Sequence, residues 1–225
     1  MNFVKKFLLY TVIIAVLAAV SLFVNELMSL NYKDENPRAA QNQGVSPVVG
    51  TGDFVRPGDE RDGPMSAPEL AWLMRERIAL DAMVDIVTDG RALETYNDRV
   101  RDYNRLAVAI QYRESDMRSA ERLVESMKGD IASAAADEAM ALSMPGDVKQ
   151  DVRAATVWHV QKYLKLLRYY PGETNGRENE GTIAAVRMYQ VRSDIPETGL
   201  VDEELAQTLR ELWIARKIPK NVGFN

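Results

Sequence analysis

The chain has 225 residues, 46% of them hydrophobic, and carries a formal net charge of −5 at pH 7. It contains no cysteine and a single histidine, His159, so disulfides, thiolate metal sites, cysteine nucleophiles and sites built from two imidazoles are excluded. The acidic balance provides no strongly basic face, and we therefore expect no nucleic-acid partner.

An uncharged apolar run of 18 residues, FLLYTVIIAVLAAVSLFV, occupies positions 7–24. As an α-helix it would measure about 27 Å, close to the ~30 Å hydrocarbon core of a bilayer. Lys5 and Lys6 precede the run, so the positive-inside rule places the N-terminus in the cytoplasm and the chain beyond residue 25 outside. We predict that residues 1–30 form a cytoplasmic tip and transmembrane anchor. The alternative is a signal peptide, cleaved at the small-residue site Ala19-Val20-Ser21.

The segment 31–65 is rich in proline, glycine, asparagine and aspartate and shows no hydrophobic periodicity. Such a segment cannot bury enough apolar surface to order itself. We predict a flexible linker, whose r.m.s. reach as a coil is on the order of 30 Å. The alternative is a short ordered patch around Val45 to Val55 that docks on a partner.

Helical signals begin at Ser66, which fits a capping box with Glu69, and an apolar helical period then continues to the Asp89-Gly90 break. From 91 to 128 the apolar residues recur in threes and fours, as in a heptad seam, with acidic and basic residues interleaved. A further helix is expected at 131–144. We predict that residues 66–145 form a helical hairpin or coiled region that self-associates or contacts another envelope protein. The alternative is an ordinary small bundle.

After Pro145-Gly146 the sequence follows a spaced pattern of apolar, glycine and glutamine positions. The pattern consists of Val157, Val160-Gln161, Leu164, Leu167, Tyr169-Tyr170-Pro171-Gly172, Asn175-Gly176, Thr182, Ala185-Val186, Tyr189-Gln190, Pro196, Thr198-Gly199 and Val201-Asp202. In this register residues 155–212 resemble the bacterial peptidoglycan-binding domain, a three-helix module attached to many cell-wall hydrolases and anchors. The resemblance implies a three-helix bundle over 147–215, a tail at 216–225, and peptidoglycan as a partner.

Several residues of this pattern also have expected roles in the fold itself. Thr182 stands at the head of an apolar stripe, where we expect it to be a helix N-cap. Gly176 and Gly199 are expected in turns that need a positive φ. Gln161 and Gln190 lie beside core positions, and we expect their amides to tie loop backbone to helix.

Three positions depart from the family's pattern. Arg168 replaces a usual glycine, Asn179 replaces another, and Glu178 replaces a common aromatic residue. Because asparagine tolerates the left-handed backbone region best after glycine, the fold is expected to survive. The loop becomes more charged, however, which leaves a protein ligand as an alternative to glycan.

Sugar recognition generally combines an aromatic face with amide or guanidinium donors. These residue types converge on the loop and on the helix after it, which predicts ligand contact by Tyr170, Asn175, Arg177, Asn179 and Arg187. The two arginines are also suited to pair with stem-peptide carboxylates. The alternative is that Tyr170 is core and both arginines only aid solubility, since one of Tyr169 and Tyr170 must be buried.

The sequence offers no set of residues suited to catalysis. His159 is expected on the outer surface of the first bundle helix, with no companion to make it a ligand or a base. We therefore predict no catalytic residues, no metal ion, no cofactor and no enzymatic activity.

Taken with the apolar N-terminus, the resemblance implies a non-catalytic protein of the bacterial inner membrane with periplasmic C-terminal domains. It would bind peptidoglycan and tether the membrane or a complex to the cell wall. The alternative is a structural or interaction subunit of a trans-envelope assembly, which uses the bundle and the helical region to bind proteins.

Overall fold

The structure is a computed structural model that describes residues 54–60, 63–88, 90–108 and 110–224. Its α-helices are α1 (Ala67–Met83), α2 (Gly90–Leu106), α3 (Glu114–Ser143), α4 (Val152–Leu166), α5 (Glu180–Arg192) and α6 (Glu203–Lys217), with a 3-10 turn at Val148–Gln150. Within these ranges there is no β-strand, only a single parallel bridge between Met65 and Tyr112. The predicted all-α fold is confirmed for this part of the chain.

The predicted transmembrane anchor and most of the predicted linker lie outside the described residues. Of the helices that the structure describes, none is both long enough and apolar enough to cross a membrane.

The helical region differs from the prediction in where its helices end. The expected seam at 91–128 is interrupted between α2 and α3, because the backbone there is extended: the N–H of Met65 donates to the carbonyl of Gln111 at 2.7 Å. The separate helix expected at 131–144 is instead the second half of α3, which runs on through Gly129. A single glycine costs a helix only about 1 kcal/mol, and the alanine-rich stretch after it, with Ala132, Ala136 and Ala139 buried, outweighs that cost.

The described residues divide into two compact units, and α1, α2 and α3 each run through both. The first unit contains 54–60, 63–77, 100–108, 110–126 and 221–224. Its first helix begins with the expected capping box, in which the Glu69 carboxylate accepts from the N–H of Ser66 at 2.9 Å and from its hydroxyl at 2.7 Å. The Arg77 guanidinium donates to the carbonyls of Val222 and Gly223, and Phe224 is buried.

The end of the predicted linker is ordered in this first unit. Pro57 and Met65 are buried, and Arg56 donates to both carboxylate oxygens of Asp102 at 2.9 and 2.5 Å. The segment is therefore held where the sequence predicted a flexible chain, because apolar side chains within it find a place in the core.

The second unit contains 78–88, 90–99 and 127–220, so it joins the second half of α3 to the C-terminal bundle. Within it α4 packs against α5, α6 and the 3-10 turn. The core of the bundle includes Val157, Val160, Leu164, Val186 and Leu209, all at most 1% exposed. These are apolar positions at helical spacing, and their burial supplies the main stabilisation of the bundle.

Candidate functional site

The loop between α4 and α5 is organised by one buried amide. The Gln161 side chain, 0% exposed, accepts from the backbone N–H groups of Asn175 and Gly176 at 3.0 Å each. It donates to the Arg177 carbonyl at 2.9 Å and to the Thr182 hydroxyl at 3.0 Å. The expectation that this amide ties loop backbone to helix is confirmed, and it fixes the loop path without any ligand.

A glycine is required at position 176 by the same arrangement. Its φ is +71°, and a Cβ there would lie 2.8 Å from the Ala154 carbonyl oxygen. Both the left-handed conformation and the close approach exclude a side chain, as the sequence predicted.

In the turn after α5, the Gln190 side chain holds the backbone in the same way as Gln161 does in the loop before it. The Gln190 amide donates to the Thr198 hydroxyl at 2.8 Å and accepts from the Gly199 N–H at 2.9 Å. Gly199 has φ +68°, and a Cβ there would lie 2.8 Å from Nε of Arg187. Arg187 therefore lies directly over this turn, and the predicted role of Gln190 is confirmed.

The start of α5 differs from the prediction. Its N-cap is Asn179, with φ −143°, whose side chain accepts from the Thr182 N–H at 2.9 Å. Thr182 was expected to be the cap, but it is buried one turn into the helix, because Glu180 and Gly181 already belong to α5. Since φ of Asn179 is in the extended region, the replacement of a usual glycine here needs no left-handed backbone.

Glu178, the charged replacement in this loop, has a structural partner. Its carboxylate forms an ion pair with Arg153, which also donates to the Val201 carbonyl at 2.5 Å. Arg153 of α4 therefore connects the loop before α5 with the turn before α6.

The exposed side of α5 forms a shallow groove, which we call the α5 groove. It has a volume of about 720 Å³ and is lined by Glu180, Ile183, Ala184, Arg187, Met188, Val191, Arg192 and Glu197. Its apolar side chains are accessible, since Met188 is 48% and Val191 61% exposed.

The five predicted ligand residues do not all line one groove, although hydrogen bonds join Arg177 to Asn175 and to Asn179 in the loop before α5. Arg187 lines the α5 groove, whereas Tyr170, Asn175, Arg177 and Asn179 do not. Asn175 and Arg177 are exposed in the preceding loop, and the Arg177 guanidinium has no partner among the described residues. The amide of Asn179 is occupied by its capping role.

Tyr170 is the core member of the tyrosine pair, at 5% exposure, and its hydroxyl donates to the Glu173 carbonyl at 3.1 Å. Its ring therefore presents no face to a ligand in this conformation. Tyr169 is half-buried: its ring meets that of Tyr189 edge to face at 5.5 Å, and Arg192 lies over it at 5.7 Å.

The sequence predicted Arg187 as a ligand residue but not its neighbours Met188, Val191 and Arg192, which line the same groove. A signal was present, because Met188 and Val191 are apolar and fall outside the inward stripe of Thr182, Ala185, Val186 and Tyr189. Apolar residues on both faces of a helix indicate a second contact surface.

A second cavity, of about 550 Å³, lies between the end of α3, α4 and α6, and His159 and Tyr163 are among its lining residues. His159 is half-buried, so its predicted surface position is wrong. Burial lowers the pKa of its imidazole, although Glu203 and Asp137 act in the opposite direction. Burial also raises the pKa of the Tyr163 hydroxyl well above its ordinary value.

No curated protein and no solved structure matches the chain in the comparisons made with known proteins. Residues 153–209 match the model of the family described as "Putative peptidoglycan binding domain", which supports the resemblance for α4, α5 and the first half of α6.

Proposed function

We propose that the protein is a non-catalytic, inner-membrane-anchored periplasmic protein that binds peptidoglycan through residues 147–215 and so tethers the membrane, or a complex within it, to the cell wall. The observation that carries the proposal is the family match at 153–209. The apolar run at 7–24, preceded by two lysines, supports the anchor and its orientation.

The α5 groove is the contact surface that this proposal favours. It offers apolar side chains to the aliphatic parts of a ligand, and arginine donors to its oxygen atoms. The loop around Asn175 and Arg177 is the competing surface, because the Arg177 guanidinium is exposed and unengaged.

Sedimentation with purified sacculi tests both the function and the surface. The full-length protein, kept soluble in mild detergent, should pellet with sacculi and remain in the supernatant without them. Arg187→Gln should weaken retention about tenfold. Arg177→Gln should change the binding free energy by no more than about 0.5 kcal/mol, the usual range for surface substitutions away from specific contacts. Loss of binding in Arg177→Gln alone would move the site to the loop, and absence of parent binding would refute the function.

The anchor is tested separately in membranes. Protease added from the periplasmic side should remove the C-terminal domains and leave a short N-terminal peptide in the inner membrane. A mature protein that begins near Leu22 would show that the apolar run is a cleaved signal peptide.

The absence of catalysis is tested by incubating pure protein with sacculi, with and without added zinc. We expect no soluble muropeptides and no transpeptidation. Release of muropeptides by the pure protein would overturn this part of the proposal.

A second function, as an interaction subunit of a trans-envelope assembly, is favoured by one observation. Four large apolar side chains of the bundle are between 43% and 61% exposed, namely Met188, Val191, Ile195 and Leu200. Exposed apolar residues in this number suit a protein partner as well as a glycan. Cross-linking in cells, followed by identification of partners whose capture is lost in Met188→Asp, would support this function if sacculus binding is absent.

A further inference from the structure

The charged side chains of the α5 groove are not engaged by the protein itself. Glu180, Arg187 and Glu197 form no ion pair or hydrogen bond through their side chains among the described residues, and Arg192 only stacks on Tyr169. Elsewhere in the same unit, ion pairs join Arg99 to Glu138, Arg153 to Glu178, Arg210 to Asp137 and Lys217 to Asp85, whereas Arg177 and Arg216 are unpaired among the described residues, like the charges of the groove. The groove therefore gathers two unmatched positive and two unmatched negative groups.

The positions of the two arginines define what a ligand must look like. Arg187 and Arg192 are five residues apart, which on an α-helix separates them by about 140° around the axis and about 7.5 Å along it. Ala184 and Val191 fall between them on the same helical wheel, so a ligand that reaches both guanidinium groups crosses an apolar strip. Each arginine can pair with a carboxylate through two parallel hydrogen bonds.

The groove lacks an aromatic face of the kind against which sugars generally bind. A pyranose ring is generally held against an aromatic face, but none of the residues that line the groove is aromatic. Tyr189, on the same helix, is buried, and the face of Tyr169 is covered by Arg192.

Peptidoglycan has two chemical components, a sugar backbone and acidic peptide stems that carry carboxylates, amino groups and small aliphatic side chains. The pattern of charges around an apolar strip matches the peptide component. Building on the proposed function, we infer that the α5 groove binds the peptide stems of peptidoglycan, with Arg187 and Arg192 on stem carboxylates and Glu180 or Glu197 on an amino group.

Competition for sacculus binding by the full-length protein tests this inference. Stem peptides released from sacculi by an amidase should displace the protein, whereas neutral oligomers of N-acetylglucosamine should not. Sacculi from which the peptides have been removed should retain much less protein than intact ones. Arg187→Gln and Arg192→Gln should each weaken retention about tenfold, as expected for loss of a charge-assisted hydrogen bond.

Arg216→Gln is the matched control, because Arg216 is an exposed arginine of the same bundle on α6 with no partner among the described residues. Retention should be unchanged in this variant, and all variants should keep the parent melting temperature. If N-acetylglucosamine oligomers displace the protein and stem peptides do not, the inference is wrong while the proposed function stands. If the parent does not bind intact sacculi at all, the proposed function fails together with the inference.

Discussion

Arg210 holds both carboxylate oxygens of Asp137, with its Nε 2.7 Å from one and an Nη 2.5 Å from the other. The same guanidinium donates to the Ser133 hydroxyl. These contacts fasten the second half of α3 to α6, and they explain why this stretch belongs to the same compact unit as the bundle. The domain boundary that the sequence placed near residue 146 stays a prediction.

Asp137→Asn is expected to lower the stability of this unit only modestly. The two side chains are 53% and 22% exposed, so solvent screens the pair, and we expect a loss of about 0.5–1 kcal/mol that shrinks in high salt. Thermal melting in low and high salt measures it. Asp130→Asn, an exposed aspartate of the same helix with no partner, should have no effect. A loss above 3 kcal/mol would mean that the pair behaves as a buried one.

Gln161→Met is expected to be far more damaging. It preserves the length of the side chain but leaves the backbone N–H groups of Asn175 and Gly176 without a partner. The Arg177 carbonyl and the Thr182 hydroxyl also lose a hydrogen bond, and each keeps only its contact with the Asn179 side chain. At about 1–3 kcal/mol for each unsatisfied buried group, we expect a loss of more than 2 kcal/mol even after partial rescue by water. Thermal melting and hydrogen exchange at the Asn175 and Gly176 amides measure it.

Gln190→Met serves as the comparison for that variant. The Gln190 amide makes only two hydrogen bonds, one to the Thr198 hydroxyl and one from the Gly199 N–H. Because the Thr198 hydroxyl also accepts from the Leu200 N–H, the loss of stability should be smaller than in Gln161→Met. Equal losses of stability in the two variants would show that the four hydrogen bonds of Gln161 stabilise the bundle no more than the two of Gln190.

Arg168→Gly is expected to stabilise the bundle. Arg168 has φ +69° and ends α4 in a Schellman motif, in which the Tyr169 N–H donates to the Leu164 carbonyl at 2.8 Å. A left-handed residue with a Cβ costs about 1–2 kcal/mol, part of which glycine regains in spite of its larger unfolded-state entropy. We expect a gain of about 0.5–1 kcal/mol in thermal unfolding.

Arg168→Ala separates backbone strain from charge. It removes the guanidinium but keeps the Cβ, so it should bring no gain. If alanine stabilises the protein as much as glycine does, the effect comes from charge and the argument from φ is wrong.

The parts of the fold that the sequence predicted well are those set by short-range patterns. The capping box at Ser66 and Glu69, the positive φ of Gly176 and the amides of Gln161 and Gln190 each follow from residue type and spacing alone. The replacement at Arg168 was also visible, and the structure shows that the chain keeps the left-handed turn without its glycine.

The misses arise from tertiary packing. Threonine is a common N-cap residue, but the buried Thr182 hydroxyl accepts a hydrogen bond from Gln161. Asn179, three residues earlier, is the N-cap instead. The extent of α3 depends on what its second half packs against, which no local pattern reveals. Among the predicted ligand residues, only tertiary structure could show that Tyr170 is core and that Arg187 lines the α5 groove whereas Arg177 does not.

The lone histidine makes one part of the pH dependence of stability traceable to a single residue. Burial lowers the pKa of His159 in the folded protein below its unfolded value of about 6.5, and the nearby carboxylates of Glu203 and Asp137 only partly offset this. As pH falls below about 6.5, the unfolded chain takes up the proton before the folded chain does. The free energy of unfolding therefore decreases as pH falls through that window, and the contribution of the neutral imidazole is fully present above it.

His159→Gln removes this titration and keeps a polar side chain of similar size. Melting temperatures of the parent should fall between pH 7.5 and pH 5.5, whereas those of His159→Gln should change less over the same interval. Both proteins share the carboxylates, so any common fall at lower pH cancels in the comparison. A parent that becomes more stable toward pH 5.5, relative to the variant, would mean that Glu203 and Asp137 outweigh burial and that the imidazolium is the favoured form in the folded protein.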